Sequence, residues 1–299
     1  MIENHESITA KICSFVRAYH SAYAQNKIFD DYLAYDLLGQ NEYIRIGKLI
    51  ENNFNQDKIK DNYSMFDSKK VGAIVDELLA PIPLSRLAFA YEKFEEFRKS
   101  HPKMQFLILG AGLDTFSFTN ADENIQVYEL DHPSTAEYKS KKILDLNWVI
   151  PKNLHFIKID FQKQKLLDVL NSSKLDRNIP TFVTILGVAY YLELEVFTQT
   201  LKVISSFINA NTQVLFDYPD ETTKLQDSSS RVARLAAMTQ NLGETMVDGF
   251  SLPDIEKALK SASFNLDEHL SPEAIDKKYF LNQPNLKAFE NVHFISAKV

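Results

Sequence analysis

The stretch Gln105–Pro133, QFLILGAGLDTFSFTNADENIQVYELDHP, constrains this chain more than any other. An apolar run, Phe106-Leu107-Ile108-Leu109, ends on the turn Gly110-Ala111-Gly112. A second strand-like run, Ile125 to Leu130, closes on Asp131 about 20 residues further on. An apolar strand, a Gly-x-Gly turn and a carboxylate at that spacing are the elements of a nucleotide-binding crossover. The glycines let the backbone approach a ligand, and the terminal carboxylate suits a ribose diol. A dinucleotide fingerprint requires a third glycine for close helix packing, and Thr115 stands at that place. Phe116-Ser117-Phe118-Thr119-Asn120 is also a poor helix start for a pyrophosphate. The pattern fits a ligand with a nucleoside and no phosphates, and S-adenosylmethionine is the commonest of these on such an architecture.

The surrounding pattern alternates. Strand-like runs at 106–109, 125–130, 154–159, 182–186 and 214–218 are separated by helix-like runs near 134–146, 162–171 and 193–208. Strands rich in Ile, Val, Leu and Phe between helices predict a parallel sheet covered on both faces. Two last strands, 264–270 and 292–299, are expected to pair with each other at the sheet edge, bringing the strands to seven. Ahead of this core, helical spacing recurs in 6–24, 28–39, 41–52 and 68–79, with no strand, and a polar connection is expected at 53–66. The helix at 68–79 is expected to stop at Pro81 and Pro83, and another to run from Ser85 to Ser100. The domain reading is a single unit: a helical cap at 1–84, a binding core at 85–218, a lid-like insertion at 219–250 and C-terminal edge strands at 251–299.

Composition excludes several classes. A chain of 299 residues, 45% hydrophobic, buries a full core. A net charge of −7 argues against a nucleic-acid binder held by a broad basic face. Cys13 is the single cysteine, which excludes an internal disulfide and fits a reducing, cytoplasmic setting. No signal peptide is expected from the opening MIENHESITA, and no apolar run approaches the ~20 residues of a membrane span. The seven histidines show no zinc spacing, so no metal is expected, and no nucleophile elbow or P-loop occurs.

ILGAGLDTFSF (108–118) followed by VYELDHP (127–133) resembles the leucine carboxyl methyltransferase family. IFDDYLAYDLLG (28–39) is similar to that family's N-terminal phrase, and the resemblance runs from about 28 to 218. It implies an α/β, Rossmann-like class I methyltransferase fold with a mostly parallel seven-stranded sheet, an N-terminal helical cap and S-adenosyl-L-methionine as cofactor. Carried across by position, it implies that Arg86 meets the methionine carboxylate and that Gly110, Ala111 and Gly112 lie beneath the cofactor. Asp131 would hold the ribose, and Asp160 with Phe161 would flank the adenine. One departure stands out: the family's glutamate before Gly187 is replaced by Leu186, so an acid near the methionine ammonium is lost unless Glu193 or another substitutes.

Several residues keep two readings. Glu129, two residues before Asp131 on the same strand face, is the rival ribose ligand. Asp160 is a binding residue or a helix cap. Tyr190 and Tyr191 are candidate catalytic or substrate-side groups, or one core and one surface residue. His132 is a base or a packing residue. Arg231 and Arg234 face an anionic substrate or solvent. The expected activity is methyl transfer to a carboxylate or hydroxyl of a small molecule or a protein C-terminus. The alternatives are a binding module without turnover, which Leu186 motivates, and an NAD(P)-dependent dehydrogenase. Neither a nucleic acid nor a membrane is an expected partner, and oligomeric state is not legible.

Overall fold

The computed structural model describes residues 6–54, 66–120, 122–161, 163–225 and 227–299. The polar connection expected at 53–66 lies mostly outside them. Helices α1 (Ile8–Tyr23), α2 (Ala34–Leu38), α3 (Gln40–Phe54) and α4 (Ser68–Ile74) form the N-terminal quarter. A π-helical turn, Val75–Leu79, carries α4 onward, and α5 (Pro81–Ser100) follows at once. This corrects the expectation that α5 would begin after the prolines. Pro81 and Pro83 sit in its first turn, where a missing N–H leaves no hydrogen bond unmade.

Strand β1 (Met104–Leu109) then opens the alternating core. It is followed by α6 (Phe116–Thr119), β2 (Ile125–Asp131), α7 (Pro133–Asp145), β3 (Leu154–Lys158), α8 (Leu166–Ser172), β4 (Thr181–Ile185), α9 (Leu194–Phe207) and β5 (Thr212–Pro219). Beyond β5 come α10 (Arg231–Asn241), α11 (Leu252–Ser261), β6 (Asn265–Leu270), α12 (Pro272–Ile275) and β7 (Val292–Lys298). The sheet has seven strands in the order β3-β2-β1-β4-β5-β7-β6. β1 to β5 are parallel, while β7 runs antiparallel between β5 and β6. The last two strands therefore pair as expected, with β6 at the edge and β7 inside it.

Alternation along β1 distributes its side chains to two cores. Phe106 and Ile108 face α5, where Phe106 packs with Phe94, Phe116 and Phe182 at ring-centroid distances of 5.2, 4.8 and 5.5 Å. Leu107 and Leu109 face the opposite layer with Val183 and Ile185 of β4 and with Leu170, Phe197 and Leu201, which α8 and α9 supply. Gln105, the polar residue of this buried strand, exchanges two hydrogen bonds of 2.8 Å with the Asp176 backbone, so its burial leaves no unmade bond.

The strand order reverses between β1 and β4. From β1 the chain steps outward through β2 to β3, and from β4 it steps the other way to β5. A crevice opens at the carboxyl ends of the strands at such a reversal, because the connecting helices leave on opposite faces. Residues of α1 and of the segment after β5 roof this crevice.

One cap contact is pH-sensitive. The buried His20 ring, near the end of α1, accepts a hydrogen bond from the Ile28 backbone N–H at 3.0 Å through Nε2. Burial lowers its pKa to about 4, outweighing the neighbouring Asp30. An unfolded histidine takes up a proton near ~6.5, so stability is lost as pH falls from there towards about 4. The expected contribution is about 2 kcal/mol after discounting for partial solvation. In His20→Gln the amide oxygen keeps an acceptor without a titrating proton. Thermal melts of both proteins at neutral and acidic pH should show the wild type losing its advantage on acidification, and parallel loss in the two would refute the assignment.

Candidate active site

The turn after β1 has Gly110 at φ 75° and Gly112 at φ 54°, left-handed conformations that a side chain would strain. Gly110 and Ala111 donate their N–H groups to the Leu130 carbonyl at 2.8 and 3.2 Å, which ties the turn to β2. Asp131 ends β2 beside it. One carboxylate oxygen accepts the Gly112 N–H, and the other accepts the His132 N–H at 2.6 Å. Both oxygens are thus held in place and each keeps a lone pair for a further donor. Burial raises the Asp131 pKa, opposed by these two amides.

Glu129 takes a different place. Fully buried, it pairs with Lys139 of α7 at 2.5 Å and receives the Ser117 hydroxyl at 3.5 Å. Burial pushes its pKa up to about 7, against the pull of Lys139. Glu129 does not line the crevice and Asp131 does. The His132 ring caps α7, with Nδ1 2.7 Å from the Ser134 hydroxyl and Nε2 3.8 Å from Asp160. Asp160 does not cap α8, whose N-cap is Lys165, and instead lies at the crevice beside Phe161, with Lys163 Nζ at 3.2 Å.

At the far side, β4 ends and Leu186 and Gly187 line the crevice. Arg86 reaches there from α5, and its Nη1 meets Asp217 of β5 at 3.1 Å. Asp217 is fully buried. It also accepts the Gly187 N–H at 2.6 Å and the Tyr190 hydroxyl at 2.9 Å. Burial disfavours charge on Arg86, but Asp217 outweighs it and the pKa stays raised. Burial and then Asp217 raise Tyr190 well above the ordinary phenol. Tyr191, beside Thr9 and Glu244, is raised by burial and then by Glu244. Both shifts favour the protonated phenol. Glu193 is exposed and does not line the crevice, so it does not replace the acid missing at Leu186.

The crevice encloses about 800 Å³, within the range of small-ligand sites. One side of it is largely apolar, with Leu78, Leu79 and Ile82 from the π-helical turn and α5, and Leu235, Met238 and Met246 from the segment after β5. Glu244 joins the two roof segments. It accepts the Ile8 N–H at 3.0 Å and the Thr9 hydroxyl at the start of α1. Arg231 and Arg234 do not line the crevice. Arg234 pairs with Glu77 at 2.6 Å, and Arg231 donates to the Glu77, Lys287 and Ala288 carbonyls, stapling α10 down. Among the described residues, no group of three or more His, Cys, Asp or Glu is placed to hold a metal ion.

Sequence reasoning missed Asp217 and Glu244. The signal for Asp217 was present, as a lone charge inside the apolar run VLFDY. Glu244 carries none, since its role depends on a contact with residues over 230 positions away.

This fold with this crevice, a Gly-x-Gly turn facing a strand-ending carboxylate at the reversal of strand order, defines a class I methyltransferase. The leucine carboxyl methyltransferase family model matches residues 10–205, and the chain belongs to that family. It is 36% identical over 303 residues, 99% of each chain, to YktD of Bacillus subtilis (strain 168), a provisionally named S-adenosyl-L-methionine-dependent methyltransferase. Its fold is shared by a DUF574 family protein of Streptomyces avermitilis, with a TM-score of 0.53 and 12% identity over 84% of this chain and 96% of that one. A provisionally assigned methyltransferase of Thermobifida fusca has a TM-score of 0.50 at 15% identity over 85% and 93%. The chain is an enzyme of the methyltransferase class, and the dehydrogenase and non-enzymatic alternatives fall away.

The two β2 carboxylates should separate by experiment. Glu129→Ala strands the buried Lys139 charge, and its expected cost is about 3–5 kcal/mol in urea unfolding. Asp131→Ala removes a group held by backbone amides at the crevice edge, and should cost well under half as much. Equal losses would contradict these placements.

Proposed function

We propose that the chain transfers a methyl group from S-adenosyl-L-methionine to an oxygen of a small, largely apolar acceptor, a carboxylate before a hydroxyl. The observation that carries this reading is the pairing of an orienting carboxylate, Asp131, with a crevice whose phenols both stay protonated. The cofactor fits the residues present. The sheet order sets Asp160, Asp131, Gly110–Gly112 and Leu186–Gly187 in a row at the strand ends, three strand spacings or roughly 14 Å from first to last. In this reading Asp160 and Phe161 flank the adenine, Asp131 accepts from the ribose hydroxyls, and the glycine turn lies under the chain between. Arg86 receives the methionine carboxylate.

When bound, the cofactor supplies a methyl group made electrophilic by its sulfonium. What remains for the protein is to align an oxygen behind that carbon and exclude water. Alignment alone is worth roughly 7–11 kcal/mol in the best model systems. Leu78, Leu79, Met238 and Met246 supply apolar walls for the body of an acceptor. A carboxylate is ionised above about pH 5 and needs no base, which matches a site whose tyrosines keep their protons.

Two measurements test this reading. In calorimetry with S-adenosylhomocysteine, Asp131→Ala should lose at least about tenfold in affinity while its thermal transition stays cooperative, since charge-assisted hydrogen bonds are worth about 1.5–3 kcal/mol. Undiminished affinity would move the ribose elsewhere. With the best acceptor from a methyl-transfer screen, kcat/KM should be flat from about pH 6 to 9, as a carboxylate titrating near ~4 requires. A tenfold rise per pH unit would identify a hydroxyl acceptor instead.

A further inference from the structure

We infer that Asp217 is a positioning residue that takes over, from the next strand, the electrostatic role of the acid absent at position 186. The inference rests on the cofactor reading above and concerns the amino-acid end of that ligand. The family resemblance expects a glutamate where Leu186 stands, at the end of β4. Asp217 lies one strand further on, in β5, which pairs with β4 from Thr181↔Thr212 to Ile185↔Phe216. Its carboxylate is fully buried and receives three donors: the Gly187 N–H, Arg86 Nη1 and the Tyr190 hydroxyl.

This arrangement fixes the polarity of two groups in the crevice. Arg86 gives Nη1 to Asp217 and Nη2 to Cys13 Sγ at 3.8 Å and keeps further N–H donors, which a guanidinium offers in a rigid fork suited to a carboxylate. Tyr190 gives its only proton to Asp217, so its oxygen presents lone pairs and no hydrogen. A phenol oxygen polarised by a buried carboxylate is a good acceptor for an ammonium. The two ends of an amino-acid zwitterion are therefore met by complementary groups: its carboxylate by Arg86, and its ammonium by Tyr190, with the Asp217 charge behind it. Leu186 is tolerated because the negative charge sits behind the crevice wall and acts through the tyrosine. Asp217 also neutralises Arg86, which prevents a bare cation from repelling the ammonium and the sulfonium.

The test compares two adenosyl compounds that differ in this end. S-adenosylhomocysteine carries the amino acid, and 5′-methylthioadenosine lacks it. Asp217→Asn should weaken S-adenosylhomocysteine by about tenfold or more in calorimetry, while 5′-methylthioadenosine binds within about twofold of wild type. Tyr190→Phe, which removes one oxygen, should show the same selectivity, and the double variant should lose less than the two single losses combined. If Asp217→Asn does not fold, Tyr190→Phe decides the matter. Equal weakening of both compounds, or none, in the folded variants overturns the role of Asp217 and leaves the cofactor reading intact. Wild-type protein that binds neither compound overturns the cofactor reading, and this inference with it.

Discussion

The buried ion pair between Arg17 of α1 and Asp31 joins the helical cap to the binding turn. Arg17 Nε lies 3.3 Å from the Asp31 carboxylate, with both side chains nearly inaccessible to water. Each partner then reaches across to the turn after β1. Arg17 donates to the Leu113 carbonyl at 2.6 Å, and Asp31 accepts the Thr115 hydroxyl at 2.7 Å. A charge pair this deep is expensive to desolvate, and these two further hydrogen bonds offset part of that cost, while Arg17 Nε and Asp31 Oδ2 face each other without a hydrogen bond. Thr115 occupies the place where a dinucleotide fold would carry its third glycine. That substitution exchanges close helix packing for a hydroxyl that anchors the roof, and α6 is accordingly a single short turn. The same residue that argues against a pyrophosphate ties the cap to the floor of the crevice.

Charge is sorted across the sheet by the same rule. Glu129 is matched to Lys139, Asp217 to Arg86 and Asp31 to Arg17, each below the surface. Asp131 differs, because its hydrogen-bond donors are two backbone amides. Amide donors orient a carboxylate without neutralising it, which suits the proposed role of Asp131 as an acceptor for ligand hydroxyls. The i, i+2 spacing of Glu129 and Asp131 places both on one strand face. It does not say which lies beneath the turn and which lies at its lip, and Lys139, ten residues on, settles that in three dimensions.

The central strands β1, β2, β4 and β5 were legible because parallel strands buried on both faces read as continuous apolar runs, and all seven strands lie within a few residues of their expected places. The site residues on strand ends were legible for a related reason: glycine and aspartate interrupt those runs. Helix starts were less so. Pro81 reads equally as a stop for the preceding helix or a start for the next, and only the π-helical turn before it shows that the chain does both within a few residues. The roof was legible least. The apolar faces of α1 and α10 carry ordinary helical periodicity, and nothing local tells a face packed on a core from one packed over a cavity. Arg231 and Arg234 show the same limit, since three-residue spacing fixes a shared helix face and not what that face meets.

The roof is made from distant parts of the chain, and this bears on the chemistry. Glu244, after α10, binds the first turn of α1, where an anion also opposes the unmatched N–H groups of the helix start. Tyr191, in the turn that follows β4, lies beside the same pair, so α1, the segment after β5 and the β4 loop meet at one point. For the carboxylate acceptor proposed above, which needs no base, catalysis rests on alignment and on the exclusion of water. Both are properties of the roof. In the proposed reading the floor holds the donor, and Leu79, Met238 and Met246 line the part of the crevice left for the acceptor.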